Sequence, residues 1–231
     1  MTPQTIMAVG GHIGDMDLAA GPILAQNVID GGRSVLVALT PGERGHPRLP
    51  MAEYREQKIA EARAFADGIG AEVIIFDDIS DGFLMADDPT AERLADLIRE
   101  IKPSMLLAHW KNSMHTDHEN ASVLAERARF LAGLPGWKEE TPRHGVGRLL
   151  FTDNWEDSMG YDADTFVEIS DDAHKRWTAA ISGQAFARGE TYGFRYIDFY
   201  SAQMISRGCL AGVPYAVGLS SGRTWGMAPL G

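Results

Sequence analysis

The chain has 231 residues, 45% of them hydrophobic and 23% charged, with a formal net charge of −11. This is the make-up of one globular domain with a sizeable core, and the acidic balance argues against nucleic acid or an anionic membrane as the main partner. No apolar run approaches the roughly 18 residues of a spanning helix, and no signal-peptide pattern opens the chain, so a cytoplasmic protein is expected. The single cysteine, Cys209, excludes an internal disulfide and a cysteine-based zinc knuckle. Set between Gly208 and Leu210, it reads as a small buried apolar residue.

The predicted elements alternate. A first strand at Ile6-Met7-Ala8-Val9 is followed by an amphipathic stretch near 17–29. A second strand at 35–39 precedes a helix near 52–68. A third at 73–76 precedes a helix near 90–101, and a fourth at 105–108 precedes one running to about 131. The apolar runs are continuous, as expected of strands buried on both faces, and strand–helix–strand repetition implies a parallel sheet with right-handed crossovers. Further on, 148–151 and 165–169 read as strands, 171–187 as a long helix, and a Gly/aromatic-rich tail holds another helical stretch. No linker or internal repeat divides the chain, so 1–231 is read as a single domain. The expected fold is α/β, a Rossmann-like three-layer α/β/α arrangement with a mostly parallel sheet.

Unusual residues follow each of the first four strands. They are Gly10-Gly11-His12-Ile13-Gly14-Asp15-Met16-Asp17, then Thr40-Pro41-Gly42-Glu43-Arg44-Gly45-His46, then Asp77-Asp78-Ile79-Ser80-Asp81-Gly82, then His109 to His118. Open α/β sheets bind ligands beyond the carboxyl ends of their strands, so all four loops fall on the binding edge. His12 and Asp15 are three residues apart, as are His115 and His118. Two imidazoles and one carboxylate meeting there make a three-ligand metal site with an open position. The same donor set serves non-haem iron oxygenases, but zinc-assisted hydrolysis suits this scaffold better. A dinucleotide site is disfavoured, because the G-x-G-x-x-G spacing is not met and the second strand ends in Thr40 rather than an acid.

These motifs resemble the LmbE-like (PIG-L) zinc-dependent N-acetylglucosaminyl deacetylases. Gly11-His12-Ile13-Gly14-Asp15-Met16 is similar to that family's A-H-P-D-D-E, and His115-Thr116-Asp117-His118 to its H-P-D-H. Thr40 to Gly45 is similar to its T-x-G-E-x-G loop, Glu61 to Gly70 to its E-x-x-A…L-G helix, and Phe166 to Gln184 to its late V-D-I-S…K…S-Q segment. The resemblance implies one Zn2+ per chain held by His12, Asp15 and His118. It implies that His115 stabilises the oxyanion, that Asp117 orients that histidine, and that the substrate is a small amino-sugar-like amide. A homo-oligomer is compatible with it.

One departure matters. The family's proposed general base falls on Gly14. A replacement is expected from a neighbouring loop, first Glu156 or Asp157, then Glu43, with Asp81 and His109 also at this edge. Glycine at 14 is expected to leave room beside the metal for such a group. Asp17, two residues past Asp15, points away and is a poor substitute. Arg44, Arg55, Lys58, Trp155 and His109 are candidates for substrate contact, Trp155 by stacking on a sugar ring. Loss of the base also admits a catalytically silent homologue that only binds metal and ligand.

Overall fold

The computed structural model describes residues 3–222. Strands β1 (Thr5–His12), β2 (Arg33–Thr40), β3 (Glu72–Ile75), β4 (Met105–Ala108) and β5 (Arg148–Thr152) are mutually parallel. Two more, β6 (Thr165–Glu168) and β7 (Ala216–Ser220), complete one sheet in the order β3-β2-β1-β4-β5-β7-β6, with β7 antiparallel to both of its neighbours. Side chains alternate across the strands and feed two cores. Ile6, Ala8, Leu36 and Leu107 face one side, and Met7, Val9, Val35 and Leu106 the other.

The first core is covered by α1 (Asp15–Ala19), α2 (Gly21–Ile29), α3 (Met51–Ile69), α6 (Asp171–Ile181) and α7 (Tyr196–Ala211). The second is covered by α4 (Asp88–Ile101) and α5 (Thr116–Gly133). The result is the expected three-layer α/β/α arrangement.

Four local expectations differ from what is found. The stretch near 17–29 is two helices rather than one, broken at Ala20. There Gly21 lets Trp177 of α6 pack against the backbone: a Cβ at 21 would lie 2.8 Å from the indole Cδ1. The helix expected to reach 187 ends at Ile181, with Ser182 and Gly183 following in turns. The tail holds the strand β7 after its helix. Cys209 is exposed on α7 rather than buried, because that helix buries Tyr196, Tyr200, Met204 and Gly208 on the opposite side. The end of the Gly/aromatic tail, 223–231, lies outside the described residues. No described helix is long and apolar enough to cross a membrane.

Candidate active site

The chain leaves β1 towards β2 on one side and later returns to β4 on the other. The carboxyl ends of β1 and β4 therefore flank the point where strand order reverses, which is where such sheets open a crevice. His12 ends β1 and His109 follows β4. His115 caps the start of α5, so its neighbours Asp117 and His118 lie in the first turn.

Asp15 opens α1 and stands at the centre of the cluster. Its Oδ2 accepts from the His12 backbone N–H at 2.7 Å. The same oxygen lies 3.3 Å from His12 Nδ1 and 3.4 Å from His118 Nε2. Ligands about 2.0–2.1 Å from a tetrahedral metal stand about 3.3–3.4 Å from one another, so both spacings match two edges of such a shell. The donor set is all nitrogen and oxygen and nearly enclosed. His118 is buried, and burial followed by the neighbouring His109 charge pushes its pKa below the usual imidazole value, towards the neutral form a metal requires. The described residues that could hold a metal ion group as His12, His115 and His118, as Asp15, His109 and His118, and as His12, Asp81 and Asp117, so each of the three expected ligands belongs to such a group.

Each imidazole is backed by carboxylates. His118 Nδ1 meets Asp157 Oδ1 at 2.9 Å, which leaves Nε2 towards Asp15. His12 Nε2 meets Asp81 Oδ1 at 3.1 Å and Asp117 Oδ2 at 3.2 Å, which leaves Nδ1 towards Asp15. Metal-binding histidines characteristically use their second nitrogen this way. Asp117 thus reaches His12 rather than orienting His115 through its carboxylate. It touches His115 through its backbone instead: its N–H donates to His115 Nδ1 at 3.2 Å, so the other ring nitrogen carries the proton and is a donor.

Asp157 and His109 sit behind this layer. Asp157 is fully buried and also meets His109 Nδ1 at 2.6 Å. It holds two imidazoles and does not line the cavity, so it is not placed as the expected base. His109 is fully buried too, with Nε2 3.0 Å from Asp15 Oδ2 and 3.1 Å from the Gly11 N. Burial lowers its pKa, but Asp157 and Asp15 outweigh that and hold it up at about 9. It does not line the cavity, so the expected substrate contact is not found.

Glu156 does face the cavity. Its side chain is 24% exposed, its Oε2 lies 3.6 Å from His118 Nδ1, and its carboxylate accepts no hydrogen bond among the described residues. Burial first, then the charges of Asp15 and Asp157, push its pKa up to about 7. Glu43 is instead engaged: its carboxylate accepts from the Ser80 hydroxyl and from the Asp81 N–H, which fixes the loop bearing Asp81.

Gly14 differs from expectation. Its φ of +108° belongs to glycine, and a Cβ there would lie 2.4 Å from Phe186 Cζ and 3.3 Å from Lys58 Nζ. The space expected to be open is occupied by an aromatic ring and an ammonium. Lys58 is buried, donates to the Ile13 carbonyl, and lies 4.1 Å from the Phe186 ring centre. Asp17, also buried, accepts from Gln184 Nε2 at 2.6 Å and takes no part in the cavity wall.

The cavity has a volume of about 430 Å³. It is lined by His12, Asp15, His115, His118, Glu156 and Lys58 and by a mostly aromatic surface that includes Trp155, Phe186, Tyr196 and Tyr200. Trp155 faces the cavity as expected, stacked on Phe194 at 4.8 Å. Arg44 and Arg55 do not line it. Arg44 donates to Ser80 Oγ and covers Phe83, and Arg55 binds Asp77. Sequence reading missed most of the aromatic wall, because its residues lie in the irregular segment after α6 and on α7 and carry no local motif.

The family of GlcNAc-PI de-N-acetylases, PIG-L, matches residues 7–129. The chain belongs to the PIG-L family. Its similarity to 4-oxalmesaconate hydratase of Pseudomonas putida is 31% identity, over 96% of this chain and 86% of that protein. The crystal structure of GalB, the 4-carboxy-2-hydroxymuconate hydratase of P. putida KT2440, superposes with a TM-score of 0.87 at 26% identity, covering 99% of this chain and all of that one. A 1D-myo-inositol 2-acetamido-2-deoxy-alpha-D-glucopyranoside deacetylase from Catenulispora acidiphila is 28% identical, over 62% of this chain and 52% of that enzyme. This PIG-L protein is therefore an enzyme of a family that holds both deacetylases and hydratases.

Proposed function

We propose that the chain is a zinc-dependent hydratase acting on a small, unsaturated oxo acid bearing carboxylates. The observation that carries this reading is at Gly14. The family's base position is filled by Phe186 and by the buried cation Lys58, so the pocket has exchanged a carboxylate for an anion-binding group. Burial lowers the Lys58 pKa, the charges of Asp15, Asp17, Glu61 and Asp81 act against this without a direct ion pair within 4 Å among the described residues, and an anionic substrate would add such a pair. The aromatic wall suits a flat conjugated molecule, and 31% identity along nearly the whole chain to a hydratase agrees with both features.

When bound by His12, Asp15 and His118, the metal supplies a Lewis acid and lowers the pKa of water towards ~7. Lys58 holds a substrate carboxylate. Glu156 takes the proton of the attacking water as its oxygen bonds to the β-carbon. The C=C electron pair moves to the conjugated carbonyl oxygen, which His115 meets as a donor through its protonated ring nitrogen. The proton returns to the α-carbon, so that one water is added and nothing leaves.

Deacetylation of an N-acetylglucosamine-type amide is the second reading, favoured by the same lining of His12, Asp15, His115 and His118 and by the family match. The two separate in one assay. Zinc-loaded protein is given 4-oxalmesaconate and, in parallel, N-acetylated hexosamines. Loss of conjugated absorbance without amine release supports hydration, and amine release without loss of absorbance supports deacetylation. Neither, at full zinc occupancy, would favour the silent homologue.

A further inference from the structure

Three tyrosines reach the cavity, and two of their hydroxyls are already committed. Tyr192 Oη lies 3.2 Å from Tyr54 Oη. Tyr200 Oη donates to Asn154 Oδ1 at 3.2 Å and lies 3.5 Å from the Trp155 N. Tyr196 is different. It is only 8% exposed and lines the cavity, yet its hydroxyl has no hydrogen-bond partner among the described residues. Its ring is caged by Phe194 at 4.6 Å, Phe186 at 5.4 Å and Trp155 at 6.4 Å between centroids, all of them apolar surfaces. Its backbone starts α7, so its place is set by a regular element rather than by a loop.

The hydroxyl is not among the fully buried polar atoms left without a partner, so it is open to the cavity, and a tyrosine whose ring is set among apolar surfaces uses its hydroxyl as its polar handle. The cavity is where that partner would come from. We infer that Tyr196 is a catalytic residue: its hydroxyl donates a hydrogen bond to the substrate oxygen on which negative charge develops. This rests on the hydratase reading for the identity of that oxygen, the carbonyl conjugated with the double bond. No proton leaves the tyrosine; the bond strengthens as the oxygen becomes an enolate and relaxes when the carbon is reprotonated. Phe186, which fills the place beside Gly14, also packs on this ring, so one aromatic cluster both removes the usual base and aims a donor.

The test is Tyr196→Phe, which keeps the ring and its packing. In zinc-loaded protein the variant should match the parent in zinc content and melting temperature. With 4-oxalmesaconate, kcat should fall about 10²-fold, the size expected of one donor to a developing oxyanion, with KM changed far less. Affinity for mesaconate, measured by calorimetry, gives a readout that needs no turnover, and the variant should bind it about tenfold more weakly. Equal kcat with 4-oxalmesaconate in an active parent overturns the inference and leaves the hydratase reading standing. An inactive parent whose mesaconate affinity still depends on Tyr196 overturns the hydratase reading and leaves the donor standing. No difference in either measurement overturns the inference.

Discussion

At the residue scale, the site separates proposed ligands from the groups that orient them. His12 and His118 both reach Asp15, because each motif lies at a strand-to-helix turn on the same sheet edge. Glu156 and Asp157 are adjacent, and sequence could not distinguish them. The structure does: a 3-10 turn at Trp155–Asp157 sends one carboxylate into the cavity and buries the other under two imidazoles. Glu156→Gln should therefore keep zinc and lower kcat by roughly 10²–10⁴-fold. The parent should lose activity as pH falls through the Glu156 pKa, because only the ionised carboxylate accepts a proton, and the variant should lack that limb. A pH–rate profile of both proteins checks this. Gly14→Asp should not restore the family's usual base. A side chain at φ +108° and the clash with Phe186 together should cost about 2–5 kcal/mol, read as a fall in denaturant midpoint.

At the scale of elements, the first four strands and the helices between them were legible because continuous apolar runs and helical periodicity are local signals. The break between α1 and α2 was not, since it depends on Trp177, over 150 positions later, packing on Gly21. Strand β7 was hidden for a related reason: five residues with a central glycine pair with β5 and β6 only once the sheet exists. The aromatic wall depends on the same late segment. Trp177 is fully buried and donates its indole N–H to the Asp17 carbonyl at 2.8 Å, tying α6 to α1 beside Asp15. Trp177→Ala should destabilise the protein by about 3–5 kcal/mol and also weaken zinc binding. Chemical denaturation and chelator competition measure the two effects separately. Loss of stability with unchanged zinc affinity would show that α6 braces the core alone.

At the scale of the whole molecule, the fold gathers a dense set of carboxylates and imidazoles at one edge of the sheet. His109 is central to it when no metal is bound. Its folded-state pKa of about 9 lies above the usual value of 6.5, so its contribution to stability is full below the unfolded value and lost as pH rises through about 9. Metal-free protein should therefore melt at progressively lower temperature across that window, and His109→Gln should flatten the fall. Zinc held by this site in the folded state alone would raise stability by about 2.7 kcal/mol at a hundredfold excess over its dissociation constant.

The central claim is that this PIG-L site adds water to a substrate rather than splitting one. Turnover of 4-oxalmesaconate by zinc-loaded protein in ¹⁸O-water, followed by mass spectrometry, tests it most directly. The account predicts a product heavier than the substrate by one labelled water, with ¹⁸O retained at carbon, and its loss in Glu156→Gln. Unlabelled, unconsumed 4-oxalmesaconate alongside labelled acetate from an N-acetylated hexosamine would contradict it.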